Sequence, residues 1–419
     1  MSLEFDQNLE KYTEVILKVG LNLQKGQRLL IFQTTFASFP LELAPFVEIL
    51  VRKAYQLGAR FVEVLWDHPQ IHLIRFQHAP RDSFEEFPTW RRDVKLEFAE
   101  KGDAILGILA SNPDLFIEQD PDLMDIRRRT SLKHNKPFNK LISKNATNWT
   151  VIAAPVDGWA NKIFPNIAPD KRKTKLWDTI FDICRVKQKD PVSAWNDHNN
   201  KLHARRRFLN NKQYSTLKLK APGTDLVIGL PKKHIWIGGS EKSQNGIVFT
   251  ANLPTEEIFT LPHKDKIEGV VTATKPLNYA GSRIEDFKLK FSEGKVIEAT
   301  AGKGQKFLDQ FIKTDEGASR LGEIALVPHS SPISQSGLLF YNSLIDENAS
   351  CHIALGRAYS PCLENGEKMS DEEFMNIGGN MSLIHVDFMI GSGEMDVDGI
   401  LENGTSEPIM RSGEWAFEV

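Results

Sequence analysis

Apolar positions in the first half of the chain follow two alternating rhythms. Phe5, Leu9, Tyr12, Ile16 and Val19 recur at helical spacing up to Gly20, which predicts an N-terminal helix. Short β-type runs follow at 28–32 (RLLIF), 60–66 (RFVEVLW), 104–110 (AILGILA) and 150–155 (TVIAAP), separated by helical periods such as LELAPFVEILVRKAYQLG. Strands that alternate with helices argue for a parallel or mostly parallel sheet covered by helices. No glycine fingerprint follows any of these strands, so no dinucleotide site is expected there.

After a polar, helical stretch at 178–211 the pattern changes. KLKAPGTDLVIGL, HIWIGG, NGIVFTANLP, EGVVTATKPL and DFKLKFSEGKVIEAT read as closely spaced strands punctuated by Gly, Pro and Asn, with SEGK at 292–295 as a hairpin turn. Helices are expected at 305–313 and 339–348. The boundary is placed near residue 190. This gives an α/β domain at 1–190 and a sheet-rich α+β domain at 191–419 that carries the chemistry.

A length of 419 residues exceeds what one compact core accommodates, in keeping with two domains. With 55 acidic and 52 basic side chains the net charge is only -3, which gives no electrostatic case for binding nucleic acid or an anionic membrane. The arginine runs at 127–129 and 205–207 are read as solvated helix faces. The N-terminus lacks the basic start and apolar core of a signal peptide, and no window is apolar for long enough to span a bilayer. Cys184, Cys351 and Cys362 lack paired-ligand spacing, so a reducing, cytoplasmic compartment is expected.

Candidate chemistry concentrates between Gly322 and Asp387. His385 and Asp387 are two apart in IHVDFMIG, so on a strand both emerge on one face. Alone, such a pair is more often a surface His and Asp. Glu323, however, interrupts the buried-looking strand LGEIALVP, where a carboxylate is costly unless paired or bound to metal. His352 opens HIALG just after the acid-rich helix containing Asp346 and Glu347. Upstream, NLPTEEIFT offers Glu256 and Glu257, either as a helix N-terminus or as one metal ligand beside one proton-handling carboxylate. Three carboxylates (Glu257, Glu323, Asp387) and two neutral imidazoles (His352, His385) balance two divalent cations once a bridging hydroxide is added. A mixed oxygen and imidazole set without thiolate suits zinc, cobalt or manganese.

The blocks NLPTEEIFT, GEIALVP, SPISQSGLLFYNSLIDENASCHIALGRAY and HVDFMIGS, with GARFVEVLWD in the first half, resemble those of the aminopeptidase T family of metallopeptidases, family M29, over essentially the full chain. The resemblance implies a metal-dependent aminopeptidase acting on peptides with a free N-terminus, and a homodimer. Its metal ligands fall on Glu257, Glu323, His352, His385 and Asp387, with Tyr359 as a further metal-site residue. It further implies that a hydroxide shared by two divalent metal ions attacks the scissile carbonyl, and Glu256, adjacent to a ligand, is the expected general base. Tyr359 is expected to ligate or to donate to the oxyanion. Because it lies seven residues after His352, a bend or departure from the strand at Gly356 is required to bring both inward. The other readings are a dinuclear hydrolase of another amide or ester, and a catalytically silent peptide-binding relative.

Overall fold

A computed structural model describes residues 3–33, 40–279 and 282–419. The chain forms two compact units: residues 1–198 with 240–254, and residues 199–239 with 255–419.

In the first unit, helix α1 (Leu3–Val15) continues as a π-helix to Gly20 and buries Phe5, Leu9, Tyr12, Ile16 and Val19, the positions that set its period. Strand β1 (Arg28–Phe32), helix α2 (Ala44–Gln56), strand β2 (Phe61–Val64), helices α3 (Pro69–His78) and α4 (Thr89–Glu100), strand β3 (Ala104–Leu109), helix α5 (Pro121–Ile142) and strand β4 (Trp149–Ala153) follow. The strands pair in parallel in the order β2, β1, β3, β4. β3 is buried at every position, as expected for a central parallel strand covered on both faces.

The segment 240–254 departs from the sequence reading, which assigns everything beyond 190 to the second domain. Instead, Asn252–Leu253 adds a fifth parallel strand beside β4, with Val151 N donating to Ala251 O at 2.8 Å and Thr150 Oγ1 donating to Thr250 O at 2.8 Å. Leu253, fully buried, accounts for the placement: its side chain completes the apolar layer against Gly20, where a Cβ would come within 2.9 Å of it. A long helix, Pro191–Lys212, runs through the division between the units.

The second unit holds a large antiparallel sheet and a four-stranded antiparallel sheet that share one apolar core. In the large sheet, Ser282–Ser292 and Lys295–Lys303 form the hairpin expected at SEGK. Its turn places Glu293 and Gly294 at φ 49° and 77°, the two positive values of a tight hairpin connection. The small sheet runs in the order Ile258–Thr260, Leu321–Leu326, His352–Gly356, His385–Met389. Alternation turns Ile324, Ile353, Leu355, Val386 and Phe388 into the core. The opposite face is left for polar side chains.

Two expected elements are absent. HIWIGG makes only isolated bridges, His234 with Leu363 and Ile237 with Phe259. The helix expected at 339–348 shrinks to Ser343–Asp346 and a 3-10 turn at Glu347–Ala349. The cause is local: the Asp346 carboxylate accepts from Phe340 N at 2.7 Å and Asn342 N at 3.0 Å, and Tyr341 between them has a φ of 55°, so the approach to the helix is looped. No described helix is long and apolar enough to cross a membrane.

Candidate functional site

The polar face of the small sheet collects the predicted side chains by register alone. Glu323 pairs with Ala354 and Ala354 with Asp387, so these three lie in one row on the same face; His385 opposite Gly356 lies two residues along, and His352 is two residues the other way. The centre of the row is small, Ala354 and Gly356, which leaves room between the outer side chains. A register shift between Leu321 and Glu323 marks a bulge. Gly356 ends its strand at φ 105°, and a Cβ there would meet Ile384 O at 2.2 Å. The departure from the strand that the spacing to Tyr359 requires therefore occurs at Gly356, where only glycine fits.

Glu257 comes from the irregular stretch before Ile258–Thr260, so the helix-start alternative for Thr255–Glu256–Glu257 is excluded. Two interactions fix this stretch. Asn348, fully buried, accepts from Glu256 N at 2.7 Å and donates to Leu344 O at 3.1 Å. Gly238 leaves space that a Cβ would close to 2.5 Å from Glu257 O. The DENAS segment thus holds the upstream pair of acids in position.

The result is two overlapping donor groups, Glu257 with Glu323 and His352, and Glu323 with His385 and Asp387, whose ligand atoms lie within 4.8 Å of one another in each group. Glu323 is divided between them. Its Oε1 lies 3.5 Å from His352 Nε2, which is also 3.1 Å from Glu257 Oε2; its Oε2 lies 3.8 Å from His385 Nε2, which is also 3.3 Å from Asp387 Oδ1. Each imidazole is anchored by its other nitrogen: Nδ1 of His352 donates to Ser350 O at 3.1 Å and Nδ1 of His385 donates to Arg357 O at 2.7 Å. That orients both rings and turns both Nε2 atoms toward Glu323. The first group is deeply buried, with His352 1% exposed, whereas the side chain of His385 is 37% exposed and opens the second group to solvent.

The electrostatics describe a cradle made for positive charge. Burial raises the Glu323 pKa, and the charges of Asp387 and Glu257 add to this against the His352 hydrogen bond. Burial alone would lower the His352 pKa, but hydrogen bonds to Glu257 and Glu323 outweigh it and raise it well above the ordinary value. Asp387 Oδ1 is buried with no hydrogen-bond partner, a lone pair that a cation would satisfy. Carboxylate oxygens and imidazole nitrogens without thiolate fit divalent zinc, cobalt or manganese. Cys351 does not alter this: its buried thiol is tied to Val327 N and O at 3.4 Å, and burial pushes its pKa up to about 11.

Two residues enter that sequence reasoning passed over. Glu347 was read as part of an acid-rich helix, yet burial and then the charges of Glu257, Asp387 and Glu323 raise its pKa well above the ordinary range, placing its carboxylate beside the same cluster. An acid five residues before His352 is the only sequence signal for it. Arg205 was read as a solvated helix face. Its guanidinium is instead half-buried, 5.1 Å over the Trp415 ring; burial lowers its pKa, and the charges of Glu256 and Glu414 offset this in part. Glu256 itself is buried, 3% exposed. Tyr359 packs its ring against Phe259, centroids 6.1 Å apart, beside the apolar cluster of Ile237, Leu261 and Phe374.

A family model described as thermophilic metalloprotease (M29) matches residues 5–415. Aminopeptidase 2 of Geobacillus stearothermophilus is 44% identical over 415 residues, covering 99% of each chain. Aminopeptidase T of Thermus thermophilus is 40% identical over 98% of this chain and 99% of its own. The solved structure of wild-type AmpT from Thermus thermophilus superposes with a TM-score of 0.93 at 39% identity, covering 99% of this chain and 100% of that one.

Proposed function

The chain belongs to the thermophilic metalloproteases of family M29 and is a metallo-aminopeptidase, and from that premise we propose that it works with two divalent cations held on the polar face of the small sheet. The observation that carries this reading is the division of Glu323 between two donor groups, one oxygen toward each. Glu257 and His352 complete the inner group; His385 and Asp387 complete the outer one. Glu347 stands by as a further carboxylate for either. Zinc, cobalt and manganese all suit these ligands.

When bound, the cations supply an activated water and polarise the scissile carbonyl. The remaining work belongs to the side chains. Glu256 takes the proton of the attacking water and returns it to the leaving amine, with the Arg205 guanidinium as the neighbouring positive charge. Tyr359 donates to the oxygen that gains charge as the carbonyl becomes tetrahedral. The anchored imidazoles keep their Nε2 atoms fixed throughout, since each Nδ1 proton is held by a backbone carbonyl. The solvent-open His385 side is where a peptide N-terminus enters. We further propose that the protein is a homodimer and that it is cytoplasmic, the latter in keeping with its three buried free thiols.

Chelation should abolish cleavage of a free-amine peptide and added cobalt, zinc or manganese should restore it, while the N-acetylated peptide resists. Equal cleavage of both peptides would sink the exopeptidase assignment.

A further inference from the structure

A second site lies in the first unit, in chemistry that peptide hydrolysis does not use. Between the sheet and helices α4 and α5 is a cavity of about 350 Å³, in the size range of small-ligand sites. Gly107 on central strand β3 lines it without a side chain, and Phe32, Ile105, Phe138, Ile142 and Trp149 make its walls apolar. Lys95 of α4 also lines it, and among the described residues no acidic one does.

Lys95 is an unusual wall. Its ammonium sits 5.4 Å from the centroid of Phe32 and 5.2 Å from that of Phe138, and it donates to Asn135 Oδ1. Among the described residues no carboxylate pairs with it. An ammonium carries three donors, and among the described residues Asn135 Oδ1 is the one hydrogen-bond acceptor it meets, the two rings being over 5 Å away at their centroids, so hydrogen-bonding capacity remains for a ligand in the cavity that Lys95 lines. Burial, and then the charge of Arg91 one helical turn away, lower its pKa to about 8. A cation half withdrawn from water, with no counter-ion and with space beside it, selects an anion. The apolar walls select an apolar body, and the lack of a lining carboxylate disfavours a ligand that also carries an ammonium, such as a free amino acid.

We propose that this cavity binds a small monocarboxylate with an aromatic or branched aliphatic body, its carboxylate on the Lys95 ammonium and its body against Phe32, Phe138 and Trp149. Asn139, also on the wall, offers an amide donor to the second carboxylate oxygen.

Isothermal titration of the metal-loaded protein with phenylacetate, 2-phenylacetamide and phenethylamine tests it. Phenylacetate should bind with a stoichiometry of one. The neutral amide should bind roughly tenfold more weakly or worse, the loss of one charge-assisted hydrogen bond, and the amine should not bind. Lys95→Met should reduce phenylacetate affinity by at least the same factor. Ser131→Phe, filling the cavity from α5 without touching the charge, should also remove binding. Phenylacetate affinity that survives Lys95→Met would place the ligand elsewhere, on the metal centre for instance, and overturn the proposal. Equal affinity for acid and amide, or no binding of any of the three, would overturn it as well.

Discussion

Replacing Glu323 with Gln is the sharpest test of the divided carboxylate. The substitution keeps shape and one acceptor oxygen, but it removes the unit charge that both donor groups share. The donor atoms of each group lie within 4.8 Å of one another. At about 4 Å and an effective dielectric of about 20, one pair of unit charges is worth about 4 kcal/mol, and a divalent ion doubles that. Solvent reaches the site at His385, 37% exposed, so a fourfold discount is appropriate; about 2 kcal/mol then remains for each group, roughly a thirtyfold loss of affinity. Both groups should weaken together. Metal content measured by mass spectrometry after dialysis against buffered free zinc should fall from two ions toward none, and turnover of a free-amine peptide should fall with it. By contrast, Asp387→Asn and Glu257→Gln should each weaken one group and leave the other nearer its original affinity. Folding is controlled within the same experiment. In metal-free protein the buried Glu323 charge is disfavoured by its surroundings, so metal-free Glu323→Gln should melt no lower than metal-free wild type. A variant that keeps two ions and full turnover would refute the shared role, as would loss of only one ion.

Other expectations follow from individual contacts. Asn348→Ala removes a fully buried acceptor from Glu256 N, and should cost about 1–3 kcal/mol in urea unfolding and lower turnover by misplacing the two upstream acids. Gly356→Ala forces a side chain into a φ of 105° and onto Ile384 O, so destabilisation of several kcal/mol, about 3 or more, should appear in the same assay. Lys95 gives a pH signature of opposite sign to an ion-paired lysine. Its folded-state pKa of about 8 lies below the unfolded value, so the unfolded chain binds more protons between them and wild-type stability should rise as pH climbs from about 8 to about 10.5. Lys95→Met should therefore be the more stable protein at pH 7, by about 3 kcal/mol at most, with the advantage fading above pH 10. Arg205→Met should slow turnover while leaving metal content at two, since its charge acts on Glu256 and on no proposed ligand.

How far the sequence anticipates this molecule depends on the range over which a residue's partners act. β3 and the α1 stripe were legible because their burial follows a local period. His385 and Asp387 were legible because a strand sets adjacent alternate side chains on one face. Asn252–Leu253 was not, because its strand character is plain while its partner, β4, lies about a hundred residues earlier. Glu347 and Arg205 failed for a related reason. Each is a charged residue in a polar, helix-like context, and only distant carboxylates reveal that it faces inward. The shortened helix near 343 was decided by one carboxylate, Asp346, capturing backbone donors that helical periodicity would have left to water.

The placement of residues 240–254 in the first unit bears on the order in which the molecule is made. A ribosome releases residues 199–239 before the fifth strand of the first sheet exists, so that sheet remains open at β4 until Leu253 has emerged. Glu256 and Glu257 come out within the next few residues, well before Glu323, His352, His385 and Asp387. A nascent chain halted after residue 198 should thus carry an exposed β4 edge and be readily digested. One halted after about residue 254, plus the length hidden in the exit tunnel, should protect its first unit while still holding no metal.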